Sequence, residues 1–137
     1  MVLGIDLRAR SGLMFPWIGL LNAAAGLALL FVPVAFAIGG IAALEAIGAG
    51  AMLMALGVGY AWCAGKGDPK LLRGFSFVIA LIGAWLLVAP AILGYSTVAP
   101  AFWSALAAGM IALISGSIGL SFAPSRATMP GQRLSRV

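Results

Sequence analysis

The chain has 137 residues, 64% of them hydrophobic and only 8% charged, with a net charge of +5 and a mean hydropathy of +1.16. A soluble domain carries charge on about a quarter of its residues, so eleven Lys, Arg, Asp and Glu side chains cannot clothe this one, and lipid must be the solvent for most of it. The basic residues stand in three short clusters between apolar runs rather than on one face, which argues against nucleic-acid binding, and one cysteine with no histidine leaves neither an internal disulfide nor a Cys/His ligand set for zinc, haem or iron–sulfur.

Residues 1–12 form a polar head with Asp6, Arg8 and Arg10. Two arginines, an apolar run and Ala35-Phe36-Ala37 also fit a secretory signal, but the run from Leu13 is about 25 residues against the roughly 7–15 of a signal core. An uncleaved first span over about 13–38 is therefore expected. At about 1.5 Å per residue it is long enough for a hydrocarbon core of about 30 Å. Pro16 suits a first helical turn, and Trp17 suits the membrane interface. Asn22 is the one strongly polar side chain well inside, and an interhelical hydrogen bond is its ordinary use. Pro33 removes a helix hydrogen bond and ends or kinks the span.

Gly39-Gly40 turns the chain into a second span over about 41–64. Glu45 falls near its start. A carboxylate in a membrane helix is a functional candidate by default, but here it lies near a positive helix N-terminus and the headgroups, where a charge is better tolerated. Cys63 reads as a small apolar helix residue. The one charged loop, Gly65 to Arg73, has Gly65 as a helix stop, and Asp68-Pro69 as an N-cap followed by a first-turn proline. A third span over about 75–95 carries Trp85, expected to be a packing residue, and Pro90. Gly94 to Thr97 turns the chain into a fourth span over about 98–122, whose serines can bond back to helix carbonyls or across to neighbours. Residues 123–137 are a polar tail with Arg126, Arg133 and Arg136.

The fold class that follows is all-α: a four-transmembrane-helix bundle in one domain. Its two halves repeat one plan. A shift of 57 lays Gly26, Leu29, Leu30 and Pro33 on Gly83, Leu86, Leu87 and Pro90. Beyond the turn the shift becomes 59, and Ala42, Ala46, Ala49, Gly50 and Gly57 fall on Ala101, Ala105, Ala108, Gly109 and Gly116. Each half has two spans, so the repeat is parallel, related by an axis near the membrane normal. Gly50 and Gly57, like Gly109 and Gly116, are seven residues apart and share a helix face, so the second and fourth spans are expected to pack closely along these small-residue stripes.

Trp85, Pro90, Gly94, Tyr95, Trp103 and Gly109 stand in the places of a recurring pattern, and on these residues the second half resembles the SPW-repeat family of small prokaryotic membrane proteins. The naming triplet reads Ala89-Pro90-Ala91 here and Val32-Pro33-Val34 in the first half, and the family's Asn position holds Ser104, or Glu45 in the first half. The resemblance implies no known activity.

For function, no nucleophile with a base, metal-ligand set or pair of intramembrane acids is present, so no catalytic residue, cofactor or enzyme activity is expected. Asn22 and Glu45 are the polar-contact candidates. The favoured expectation is a structural or accessory subunit of a larger membrane complex, with a respiratory or photosynthetic assembly as one open host. The alternative is a small oligomeric transporter or channel. Because Lys and Arg fall only on the head, the central loop and the tail, the positive-inside rule leads us to expect both ends in the cytoplasm, and the SPW-repeat resemblance implies a prokaryotic inner membrane.

Overall fold

The computed structural model describes the backbone of residues 3–122 and the side chains of residues 16–121. The tail at 123–137, with Arg126, Arg133 and Arg136, and the side chains of Asp6, Arg8 and Arg10 lie outside the described residues. Four α-helices follow one another: α1 (Leu3–Ala35), α2 (Gly40–Lys66), α3 (Pro69–Ile92) and α4 (Ala99–Phe122), with no strand among the described residues. Each carries a segment long and apolar enough to cross a membrane, the shortest being Pro16–Ala35. Its 20 residues reach about 30 Å, the thickness of the hydrocarbon core.

The ends of these helices differ from expectation in three places, each for a local reason. Helical backbone continues from Pro16 back through the polar head to Leu3, so that proline stands inside α1 rather than in its first turn. The stop of α2 is Gly67, not Gly65. Gly67 takes the left-handed conformation (φ 71°) and donates its N–H to the Cys63 carbonyl, a closure that residues with a Cβ adopt at a penalty. Tyr95, placed at the end of the third span by sequence, lies in the turn beyond Ile92, since Gly94 at φ 74° has already left the helix. The start of α3 is as the residues suggest: Asp68 accepts a hydrogen bond from the Lys70 N–H at 3.1 Å, with Pro69 in the first turn. Pro33 and Pro90 sit two residues before the ends of α1 and α3.

The helices form two hairpins, α1 with α2 and α3 with α4, each packed far more extensively than any contact between them. The hairpins then meet along two seams, α1 against α4 and α2 against α3, and α2 and α4 touch briefly. The core is made of small and branched residues around one buried tyrosine: Leu29 with Leu86, Ala105 and Ala108, and then Leu53, Tyr60, Leu72, Ile79 and Ala112. Large apolar side chains, among them Trp17, Phe31, Leu44, Trp62, Phe77 and Trp103, cover the outside. A lipid solvent accounts for that inversion of a soluble surface.

Candidate functional site

Glycine fixes the interior of each hairpin. A Cβ built on Gly26 would fall 2.5 Å from the Gly50 carbonyl oxygen, and one on Gly50 would fall 2.7 Å from that of Gly26. The second hairpin repeats this contact: a Cβ on Gly83 would lie 2.8 Å from the Gly109 carbonyl, and one on Gly109 would lie 3.0 Å from that of Gly83. One level away, Gly57 meets Gly19 and Ala23, as Gly116 meets Ser76 and Ala80. The expectation that the stripes of α2 and α4 face each other is thereby corrected. Gly50 and Gly57 turn toward α1, and Gly109 and Gly116 toward α3. A short turn makes sequential helices antiparallel neighbours, and each stripe serves the closest approach available, which lies inside its own hairpin.

The polar side chains of the spans lie at three levels, each linking one hairpin to the other or standing at the seam between them. In the middle, Asn22 is fully buried and donates from Nδ2 to Ser115 Oγ on α4 at 2.8 Å, and also to its own helix at Ile18 O. Ser115 in turn donates to the Ala112 carbonyl. Toward the charged loop, the Tyr60 hydroxyl and Ser76 Oγ are buried without a hydrogen-bond partner, close to Gly119. A Cβ at Gly119 would strike Ser76 Oγ and lie 3.2 Å from the Tyr60 oxygen, so Gly119 makes room for both. At the opposite end, Tyr95 OH donates to Glu45 Oε2 at 2.8 Å, joining the second turn of α2 to the α3–α4 turn. Burial, and then the neighbouring carboxylate, hold the Tyr95 phenol well above its ordinary pKa, so it remains a donor. Glu45 Oε1 is buried and has no protein partner. The serines at 104, 117 and 121 bond back to carbonyls of α4 itself.

Next to Glu45 opens a groove of about 780 Å³ between α2 and α3. Its floor and walls are almost wholly apolar, with Gly48, Met52, Ile82, Trp85 and Val88 along it and Ile92 toward the turn. Trp85, expected as a packing residue, is 47% exposed and forms a wall of this groove, because its position on α3 faces outward where Leu86 faces in. Between α1 and α4 lies a smaller hollow of about 150 Å³. Its Ala25, Ala28, Ser104, Ala107 and Ile111 are the repeat equivalents of Ile82, Trp85, Glu45, Gly48 and Met52. The two hollows are thus one feature made twice, with a carboxylate and an indole in one copy and a serine and an alanine in the other.

Sequence reasoning left Ser115 as one of four serines able to bond back or across, and did not find Ser76 or Tyr95 as partners, nor the groove. A usable signal was present in the repeat: the same shifts that match glycines put Tyr60 opposite Gly119, Ser76 opposite Gly19 and Tyr95 opposite Ile38. Among the described residues no group of three His, Cys, Asp or Glu side chains gathers. A family model described as the SPW repeat domain matches residues 16–119, which span all four helices. No curated protein and no solved structure matches the chain.

Proposed function

The chain belongs to the SPW repeat family, and we propose that this small multi-pass membrane protein acts by contact, as an accessory subunit of a larger membrane assembly, with no catalysis of its own. The observation that carries the proposal is the disposition of its polar groups. Among the described residues, the hydrogen bonds of Asn22, Ser115, Tyr95 and Glu45 tie the two hairpins together, and Ser104, Ser117 and Ser121 bond to their own helix. The remaining surface of the spans is apolar and suited to lipid and to neighbouring helices. A transport path would instead need polar groups converging on an open route near the bilayer middle.

In this reading the membrane is a prokaryotic inner membrane. The charged α2–α3 loop and both ends face the cytoplasm, where the basic tail offers a partner its docking contacts. Labelling checks the orientation: Ser96→Cys should react with an impermeant reagent in intact cells, and reaction of Gly67→Cys there overturns it. Purification in mild detergent checks the role. A chain ending at Ala123 should lose its co-purifying subunits, whereas Glu45→Gln should keep them. The transporter alternative expects the reverse: flux lost with Glu45→Gln and little effect of the missing tail.

A further inference from the structure

We propose that the α2–α3 groove is a binding site for a single aminolipid, with one acyl chain lying along the groove and the primary ammonium of the head group hydrogen-bonded to Glu45. Three observations converge on this occupant. The first is length. From Leu81 to Ile92 the groove follows α3 for eleven residues, or about 16 Å at 1.5 Å each, close to the roughly 15 Å of one leaflet. It runs from the middle of the bundle toward the α1–α2 and α3–α4 turns, so it spans one leaflet and stops. A partner's transmembrane helix would continue through both.

The second is chemistry along that length. The walls are apolar from Leu81 to Ile92, and the one ionisable side chain in them, Glu45, stands at the end nearer the turns. That is the polarity of a lipid, apolar in the membrane middle and polar at the surface. Of the two carboxylate oxygens, Oε2 is held by Tyr95 and Oε1 is buried without a protein partner, so the carboxylate turns toward the groove to present that acceptor to a head group. A primary ammonium brings N–H donors and a positive charge to that acceptor, in a bond of the charge-assisted kind. A choline head has no N–H to give, and a glycerol head brings no positive charge. The third is size. About 780 Å³ falls within the roughly 300–1,000 Å³ of ordinary ligand sites, whereas the equivalent α1–α4 hollow, at about 150 Å³ and with Ser104 in the place of Glu45, falls below it. The same backbone plan therefore contains an internal control.

The purified full chain, reconstituted in vesicles of equal parts phosphatidylethanolamine, phosphatidylcholine and phosphatidylglycerol, is extracted and weighed by native mass spectrometry. One phosphatidylethanolamine should remain bound per chain, preferred over the other two by roughly tenfold, the scale of one charge-assisted hydrogen bond. Glu45→Gln should remove the preference and leave weak binding of all three lipids. Gly48→Phe should remove the retained lipid, because a Cβ at Gly48 meets nothing within 4 Å and the ring would enter the groove without disturbing the bundle. Ala107→Phe, at the equivalent place in the small hollow, should change nothing.

Equal retention of the three lipids by the native chain overturns the proposal, as does a Gly48→Phe chain that keeps its phosphatidylethanolamine. A mass of two chains with lipid excluded overturns it in favour of a second copy in the groove. An independent readout uses the native sequence: phosphatidylethanolamine brominated on its chain should quench tryptophan fluorescence more than brominated phosphatidylcholine does, and Trp85→Phe should abolish the difference. No difference between the two lipids in the native chain counts against the site whatever the variants do. None of these outcomes depends on a protein partner, so they leave the accessory role to its own test.

Discussion

Across the α1–α4 seam Asn22 donates to Ser115, while across the α2–α3 seam the equivalent positions hold Ile79 and Leu56, both packed in the apolar core. At the end nearer the charged loop the assignment reverses: Tyr60 and Ser76 stand at α2–α3, and Gly19 and Gly119 at α1–α4. At the other end Tyr95 and Glu45 face positions held by Ile38 and Ser104 in the second copy. Nearer the turns the hairpin interiors, by contrast, are closely copied, with Gly26 on Gly50 as Gly83 is on Gly109, while Gly19 against Gly57 in the first hairpin becomes Ser76 against Gly116 and Gly119 in the second. A duplicated hairpin has thus kept its closest glycine contact and diverged mainly along its seams. The divergence is regular, since each level has its polar pair on one seam only.

The largest effect should come from striking what the halves share. Gly26→Leu and Gly83→Leu each drive a side chain into backbone of the facing helix, where overpacking costs about 1–3 kcal/mol or more. Both variants should lose the monodisperse helical species in mild detergent. If one collapses and the other does not, the hairpins are not equivalent. Ile79→Asn comes next. It buries an amide opposite Leu56 and should destabilise by about 1–3 kcal/mol in SDS unfolding followed by circular dichroism. Adding Leu56→Ser should recover part of that loss by rebuilding on α2–α3 the contact that α1–α4 already has. No recovery would mean that the seams differ in backbone as well as in side chains.

Asn22→Leu should cost about 1–2 kcal/mol in the same measurement, the range of an interhelical hydrogen bond in a membrane. The smallest effect belongs to the far end, where Tyr95→Phe should cost about 0.6 kcal/mol at neutral pH. Its sign with pH is fixed by the raised pKa of Tyr95. The folded chain holds the phenolic proton more tightly than the unfolded chain, so the contribution is whole below the ordinary tyrosine value of about 10 and is lost as pH rises through the folded one. Native and Tyr95→Phe stabilities should therefore converge under strongly alkaline conditions, and a gap that widens there refutes the assignment.

How much of this was legible in the chain follows from which forces act locally. Four apolar runs, prolines near the ends of two of them and Asp68-Pro69 are local signals, and they placed the helices to within a few residues, apart from the long N-terminal extension of α1. The repeat was legible because glycine at a close approach has no substitute. What the stripes would touch was not, since a helix face does not name its partner; Gly50 was as free to meet α4 as α1 until the hairpin geometry decided. Asn22 was recognisable as a polar contact, but its acceptor lies 93 residues away, among four serines of α4 that look alike in sequence. The groove was out of reach for a similar reason. It is made by the outward side of Trp85 and the missing side chain of Gly48, and neither means anything until α2 and α3 stand side by side.

The alternation of polar pairs between seams has a consequence for how the protein is made. Two copies of the first hairpin, docked by the same symmetry, would set Asn22 against Leu56. Two copies of the second would set Ser115 against Ile79. Neither homotypic pairing offers Asn22 the hydroxyl it meets in the finished bundle, so before α4 is in place its amide has only the Ile18 carbonyl of its own helix. The interval between synthesis of α2 and insertion of α4 is therefore when an insertase or chaperone that shelters polar residues in the bilayer would matter most.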